Sequence, residues 1–483
     1  MNLFKRLTVL ALIAVLALSL VACVGNGKTD LPSSSVEDTG SHREPYDAEA
    51  DNKEFVDTDG DFDYKKVDWA GPEGYVIVVP AGNAEAKKTA AAIQDYYEAQ
   101  KITLQIVTDN TAPKDKEILV GKTKRPESNK GLKENELEVS VKNGKLVFDG
   151  GHDVTVDSAV GKFLRLSPKK GKAYTFKVET DFSATTFLDG YEYVWGDEFE
   201  GTDINLSKWA FDAKMNAYVD ADISYDRDVT NVEDGRLKLR GIRAFDPERE
   251  MLQFKMPVSV VTQHNMMFTY GYAEIRCKMP FFKGAWPSFW TQSNTGIGER
   301  KCLDYFVEVD VFEVFGSTKG EVVSTIHRWY NKNYYNYGQN HNVYEPDGSA
   351  KTHTSLSNED EIWTAPDTDT INNEYHTYGW EWTPTVMNIY VDGQLVTKYD
   401  ITKSFDLYND TKGYHDPQFI IFNNHLTSKA AGKAGQYTVG YIDDNLDLLP
   451  SNYFIDYFRL YQKPGQGKIW IKETPHSTYP DRK

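Results

Sequence analysis

From Leu188 onward, short apolar and aromatic runs recur with Gly, Asn and Asp between them, and no long helical pattern interrupts. EYVWGDEFE (192–200), RLKLRGIR (236–243), YGYAEIRCKMP (270–280), YGWEWTPTVMNIYVDGQLV (378–396) and FIDYFRLYQ (454–462) have strand length and strand chemistry. Asp392-Gly393 is a hairpin turn pair, because both residues tolerate positive φ. Many short strands with turns between them bury their apolar faces only by pairing into sheets that pack on one another. This half of the chain therefore predicts an all-β sandwich. The formal net charge of −18 argues against nucleic acid or an anionic membrane surface as a general partner, and weakly against a strongly sulfated substrate.

One run breaks the strand pattern. FVEVDVFEVFG (306–316) sets Glu308, Asp310 and Glu313 among Val and Phe. Side chains alternate with period two, so Glu308 and Asp310 share a face and Glu313 falls on the other. A β-bulge, one extra residue between Asp310 and Glu313, returns Glu313 to the first face and leaves Val307, Val309 and Val311 to pack behind. Two long Glu side chains leaning together on a curved strand then reach the ~5–5.5 Å carboxyl separation that a retaining glycoside hydrolase needs. Asp310 between them raises the proton affinity of a neighbour by like-charge repulsion. Split pKa values are what a nucleophile and a general acid require. A solvated acidic face is the competing reading, and the run alone leaves both open.

The stretch ExDxxE, here Glu308-Val-Asp310-Val-Phe-Glu313, resembles the active-site signature of glycoside hydrolase family 16 in its bulged, laminarinase and agarase form. YVWGDEFEGTDINLSKW (193–209), NVEDGRLKL (231–239), YGYAEIRCKMP (270–280), GAWPSFW (284–290), STIHRWY (324–330), YHTYGWEWTPTVMNIYVDGQLV (375–396) and FIDYFRLYQ (454–462) resemble further family segments in the same order. The resemblance covers about residues 190 to 462. It implies a concanavalin-like β-jelly roll with an open cleft on its concave sheet. It implies Glu308 as nucleophile, Glu313 as general acid/base and Asp310 as the group that orients and tunes the nucleophile. It requires no metal or organic cofactor for the chemistry.

Around the acids, Trp286 and Trp290 are candidate sugar platforms, since a flat indole stacks on the apolar side of a pyranose ring. Core packing competes with that reading for both. His327 matches the family His near the acids, with a structural His as the alternative, and Trp329 shares its strand face. Some family members hold a structural Ca²⁺ through the Asp matching Asp456, and a plain hydrogen-bonding role is the alternative there. Two segments depart from the family pattern. FNNHLTS (422–428) places Asn424 and His425 near the cleft end, and TQSNTGIGERKCLDYF (291–306) is not the usual short loop. Both put the preferred linkage in doubt.

The N-terminal part is organised differently. Lys5 and Arg6, the apolar Leu7 to Val21 and then Leu20-Val21-Ala22-Cys23 read as an export signal whose end resembles the lipobox of bacterial lipoproteins. An uncleaved transmembrane helix is the alternative. Residues 1–23 would be the signal, with Cys23 lipidated on the extracytoplasmic membrane surface as the protein's one membrane attachment. Residues 24–68 read as an acidic flexible linker, in which DTDGDFD (57–63) departs from a calcium loop at its sixth and twelfth positions.

Residues 69–185 read as a small α/β domain, with a helix over 84–98, a hairpin around Asn143-Gly144 and a closing helix over 153–166. Its βαββββα order, with YVIVVP, EILVGKTKRP and LVFDGG, resembles the small domain that precedes the catalytic domain in β-hexosaminidases and α-glucuronidases, which implies an accessory role. Residues 188–463 are the jelly roll and 464–483 a C-terminal tail. Cys277 and Cys302 pair as a disulfide or remain as two buried thiols. The whole reads as a monomeric, surface-anchored, endo-acting hydrolase of a β-linked polysaccharide, a β-1,3- or mixed-linkage glucan first and a galactan second. A non-catalytic carbohydrate-binding or sensor lipoprotein on the same fold is the rival, as is a transglycosylase.

Overall fold

The computed structural model describes residues 67–69, 71–128, 130–165, 174–176, 189–213, 222–246, 251–293, 297–299, 301–302, 305–316, 322–330, 340–342, 354–355, 375–403, 411, 413–428 and 441–472. Cys23 and DTDGDFD lie outside the described residues.

In the α/β part, α1 (Ala84–Glu98) starts where the Asn83 side chain accepts the Ala86 N–H at 2.9 Å, satisfying one of the free donors of the first turn. Its buried residues Ala86, Thr89, Ala90, Ile93 and Tyr97 recur every three or four positions and form one stripe. The stripe packs on a five-stranded mixed sheet in the order Gln105–Thr108, Val76–Val79, Glu117–Val120, Lys145–Gly150, Leu137–Lys142. The last two strands form the expected hairpin, with Asn143 and Gly144 at φ 52° and 77°. α2 (Asp153–Arg165) closes the unit. The linker expected up to residue 68 ends inside the fold. Val67–Trp69 pairs with Tyr174–Phe176, and Trp69 packs edge-on against Tyr75, Tyr97 and Phe163.

The rest is the jelly-roll sandwich, two packed sheets with their core between them. The strands that matter most are β1 (Ala285–Gln292), β2 (Tyr305–Glu313), β3 (Val323–Tyr330), β4 (Phe419–Leu426) and β5 (Ser451–Gln462). One sheet runs β3-β2-β1-β4, then Ser259–Val261 and Ala210–Asp212. In the other, β5 lies between Arg236–Asp246 and Gly271–Lys278, followed by His376–Trp382, Val386–Val391 and Gln394–Asp400. Val307, Val309, Phe312, Phe289 and Phe422 of the first sheet meet Ile275, Trp380, Ile455, Phe458 and Leu460 of the second. Each such burial stabilises the fold by about 1.5–3 kcal/mol. Trp380 and Trp382 face this core and stack at 5.3 Å. The residues Asp392 and Gly393, at φ 47° and 74°, turn the predicted hairpin.

One expectation changes and one open alternative is decided. The tail is not wholly free, because Lys468–Ile471 pairs with Met266–Thr269 as a short antiparallel strand. Cys277 and Cys302 are separate buried thiols rather than a disulfide.

The two parts meet on the far side of β5 from the core. Tyr453 and Ile455 point into the core, Asp456 is an extra residue at a bulge opposite Arg276 and Cys277, and Phe458 and Leu460 then resume the core face. The other face carries Tyr457, Arg459 and Tyr461, all fully buried. Arg459 grips both carboxylate oxygens of Glu198 at 2.8 Å and donates to the Asn135 carbonyl of the α/β part at 3.3 Å. Lys162 of α2 lies 2.8 Å from both oxygens of Asp456.

Candidate active site

The three acids stand on β2, and the register of β2 decides where they point. Against β3, Asp310 pairs with Thr325 and Glu313 with Val323, so three steps on β2 match two on β3. Against β1, Phe312 pairs with Phe289 and Asp310 with Trp290, so Val311 is the residue without a partner position. The expected bulge is therefore between Asp310 and Glu313. Val307, Val309, Val311, Phe312 and Val314 all enter the core, and Glu308, Asp310 and Glu313 all leave on the opposite face. Just beyond, Gly316 passes so close to β1's approach that a Cβ there would sit 1.8 Å from the Phe282 carbonyl oxygen. Only glycine fits where the strand leaves the site.

Each acid has its own partner, two of them from β1 and one from β3. Glu308 Oε2 accepts from Gln292 Nε2 at 2.7 Å. Asp310 Oδ2 lies 3.2 Å from His327 Nε2 on β3. Glu313 Oε1 accepts the Trp286 indole N–H at 2.9 Å. Donor atoms of Glu308, Asp310 and His327 all fall within 4.8 Å of one another.

Burial pushes the Glu313 carboxyl well above the usual carboxylate range; the charge of Asp310 adds to this, while His327 and the Trp286 N–H oppose it. Burial alone raises Asp310. Like-charge repulsion is thus the second cause at Glu313, after desolvation. The arrangement favours the acid form of Glu313 and sets Glu308 on the same face of β2.

For the tryptophans, packing is the alternative to a stacking platform, and packing contacts are what both show. Trp286 is 8% exposed, packs edge-on against Phe315 and His425, and spends its N–H on Glu313. It serves the acid rather than presenting an open ring. Trp290 is half-buried. Its ring packs beside Phe419 and Ile421, and its N–H reaches Asn423 Oδ1 at 2.6 Å. Trp329 is placed by register opposite Phe306, and its side chain lies outside the described residues.

β4 runs beside β1 with His425 opposite Trp286 and Asn423 opposite Ser288. Asn423 accepts from Ser288 as well as Trp290 and contacts His425 Nε2. The residue expected beside His425, Asn424, points the other way and donates to the Leu239 and Ser451 carbonyls. Gln292 and Asn423 were not singled out by sequence reasoning. Simple alternation from Trp286 and Trp290 would have reached Gln292, and alternation from His425 would have reached Asn423.

The calcium reading of Asp456 does not fit. Both its oxygens face the Lys162 ammonium, and Arg276 approaches at 3.4 Å. A divalent cation would have to displace or abut two positive charges at a buried carboxylate.

A profile of the family described as "Beta-porphyranase A-D, GH16 domain" matches residues 194–462. The glucan endo-1,3-beta-glucosidase A1 of Niallia circulans is 23% identical over an alignment of 293 residues that covers 57% of this chain and 38% of that protein. The beta-glucanase of Rhodothermus marinus is 23% identical over 278 residues, 56% of this chain and 85% of that protein. Among solved structures, the laminarinase catalytic domain from Thermotoga maritima MSB8 is 22% identical, over 56% of this chain and 98% of that one, with a TM-score of 0.40.

Proposed function

The chain belongs to glycoside hydrolase family 16, carrying over residues 194–462 an O-glycosyl hydrolase domain of the β-porphyranase A–D group, and from this premise we propose that the protein is a retaining, endo-acting hydrolase of a β-linked polysaccharide. The observation that carries the reading is the bulge of β2, which puts Glu308 and Glu313 on one face with Asp310 between them. Glu308 attacks the anomeric carbon while Glu313 gives its proton to the leaving oxygen. Glu313, now ionised, takes a proton from the incoming water, and the sugar leaves with its configuration retained. Burial of Glu313 supports its part, because desolvation raises a carboxyl and so favours the acid form a proton donor needs.

The first substrate reading is a β-1,3- or mixed-linkage β-glucan, after the printed names of the relatives. A second reading, a porphyran-like galactan, is favoured by the family description. The test incubates the full chain with laminarin, lichenan, xyloglucan, agarose and porphyran and follows product size and early anomeric configuration. A ladder of oligosaccharides from one polymer, released with retention, is the expected result and names the linkage. Inverted products, or no cleavage of any polymer, would overturn the proposal and favour the binding-protein rival.

Attachment through a lipidated Cys23 is part of the proposal and rests on the sequence of residues 1–23. In a bacterial host the chain should fractionate with membranes and take up labelled fatty acid, and Cys23→Ser should do neither. Equal labelling of the two would remove the anchor from the picture.

A further inference from the structure

Gln292 is the last residue of β1 and stands opposite Glu308 in register. It is 7% exposed, and its Nε2 lies 2.7 Å from Glu308 Oε2. Its Oε1 is buried without a hydrogen-bond partner among the described residues. A primary amide beside an ionised carboxylate turns its N–H toward it, because the amide oxygen would be repelled. The 2.7 Å separation belongs to the short range of charge-assisted hydrogen bonds.

We propose that Gln292 is a positioning residue for the glycosyl-transfer step: its amide N–H holds Glu308 ionised and in a single rotamer aimed at the substrate. This rests on the reading of Glu308 as nucleophile. Among the described residues, the titratable groups placed near Glu308 include Asp310 and Glu313 on β2 and His327 on β3. Asp310 and Glu313, when ionised, drive a proton toward Glu308 by repulsion. His327 sits against Asp310. Gln292 acts from the other neighbouring strand and has no proton to lose. A lysine at this place would also favour ionised Glu308, but its charge would pull Glu313 toward ionisation as well. A neutral amide in contact with Glu308 favours one carboxylate and leaves the acid form of Glu313 intact.

The test reads Glu308 directly. The full chain is labelled with [13Cδ]glutamate, and the Glu308 resonance is assigned by its loss in Glu308→Gln. Gln292→Met keeps the length and removes the donor, and should raise the Glu308 titration midpoint by about one pH unit, the size expected for losing one hydrogen bond to a charged group. The acid limb of kcat/KM should rise with it, and KM should stay near wild type. Gln292→Glu, which keeps the shape and sets a like charge against Glu308, should raise the midpoint further and carries the test if the Met variant does not fold. A midpoint that stays at the wild-type value in a folded variant overturns the proposal. If Glu308→Gln is inactive while the midpoint does not move, only the role of Gln292 falls. If Glu308→Gln still hydrolyses polymer, the nucleophile reading falls and the role of Gln292 with it.

Discussion

Glu308→Gln should lose polysaccharide hydrolysis by at least about 10³-fold, equivalent to ~4 kcal/mol of barrier, with folding and polymer binding left near wild type. An amide of the same shape has no ionised oxygen to attack the anomeric carbon, so the covalent step is removed. Binding survives because the rest of the face is untouched. Trp286 still holds Glu313, and Asn423 still accepts from Trp290 and Ser288. The fold survives because the new amide offers a carbonyl oxygen to the Gln292 N–H in place of the carboxylate oxygen. Reducing-end release gives the rate, and retardation in polymer-containing native gels gives the binding. Equal turnover by the variant and the wild type would sink the assignment. A variant that neither binds nor melts cooperatively would show instead that Glu308 is structural.

The acids were legible because the bulge leaves its mark in the order of residues itself. Valines alternate with acids up to Val311, then Phe312 and Glu313 arrive one step late, and only a bulged strand keeps every Val and Phe inside. The hairpins at Asn143-Gly144 and Asp392-Gly393 were legible for a similar local reason, since positive φ at two successive positions selects few residue pairs. What sequence missed is either polar and non-local or a matter of which atom of a side chain is used. Trp286 reads as a stacking surface when only its ring is considered, and its N–H is the end that meets Glu313. Asn423 and Asn424 are the same residue type one position apart, and only the pairing of β4 with β1 decides which faces the site. The strand Lys468–Ile471 finds its partner two hundred residues away in Met266–Thr269, and nothing local announces that. The seat of the α/β part on β5 is of the same kind, with no pattern in either segment that points to the other.

That seat carries the second large effect. Lys162→Met should lower stability by ~3 kcal/mol, toward the low end of what removing one member of a buried ion pair costs. The Asp456 carboxylate stays buried in the variant, and Arg276, at 3.4 Å, is the cation left beside it. Its desolvation is then only partly compensated, which places the cost below that of a wholly orphaned charge. The double variant Lys162→Met, Asp456→Leu should regain much of the loss, because the penalty lies in the stranded charge and not in the missing attraction. Denaturant midpoints of the full chain measure both, and adding a chelator should shift neither, since the positive charge opposite Asp456 is part of the polypeptide. A single variant within ~0.5 kcal/mol of wild type, the range of an ordinary surface change, would mean that Lys162 is no more than a solvated contact. The α/β part would then be an appendage. The outer face of β5, with Tyr457, Arg459 and Tyr461 buried and Glu198 held by Arg459, is built to be covered. Cutting the α/β part away would expose this face and remove the Asn135 carbonyl and the Lys162 ammonium that complete it. The expected result would mean that the sandwich and the domain before it stabilise each other.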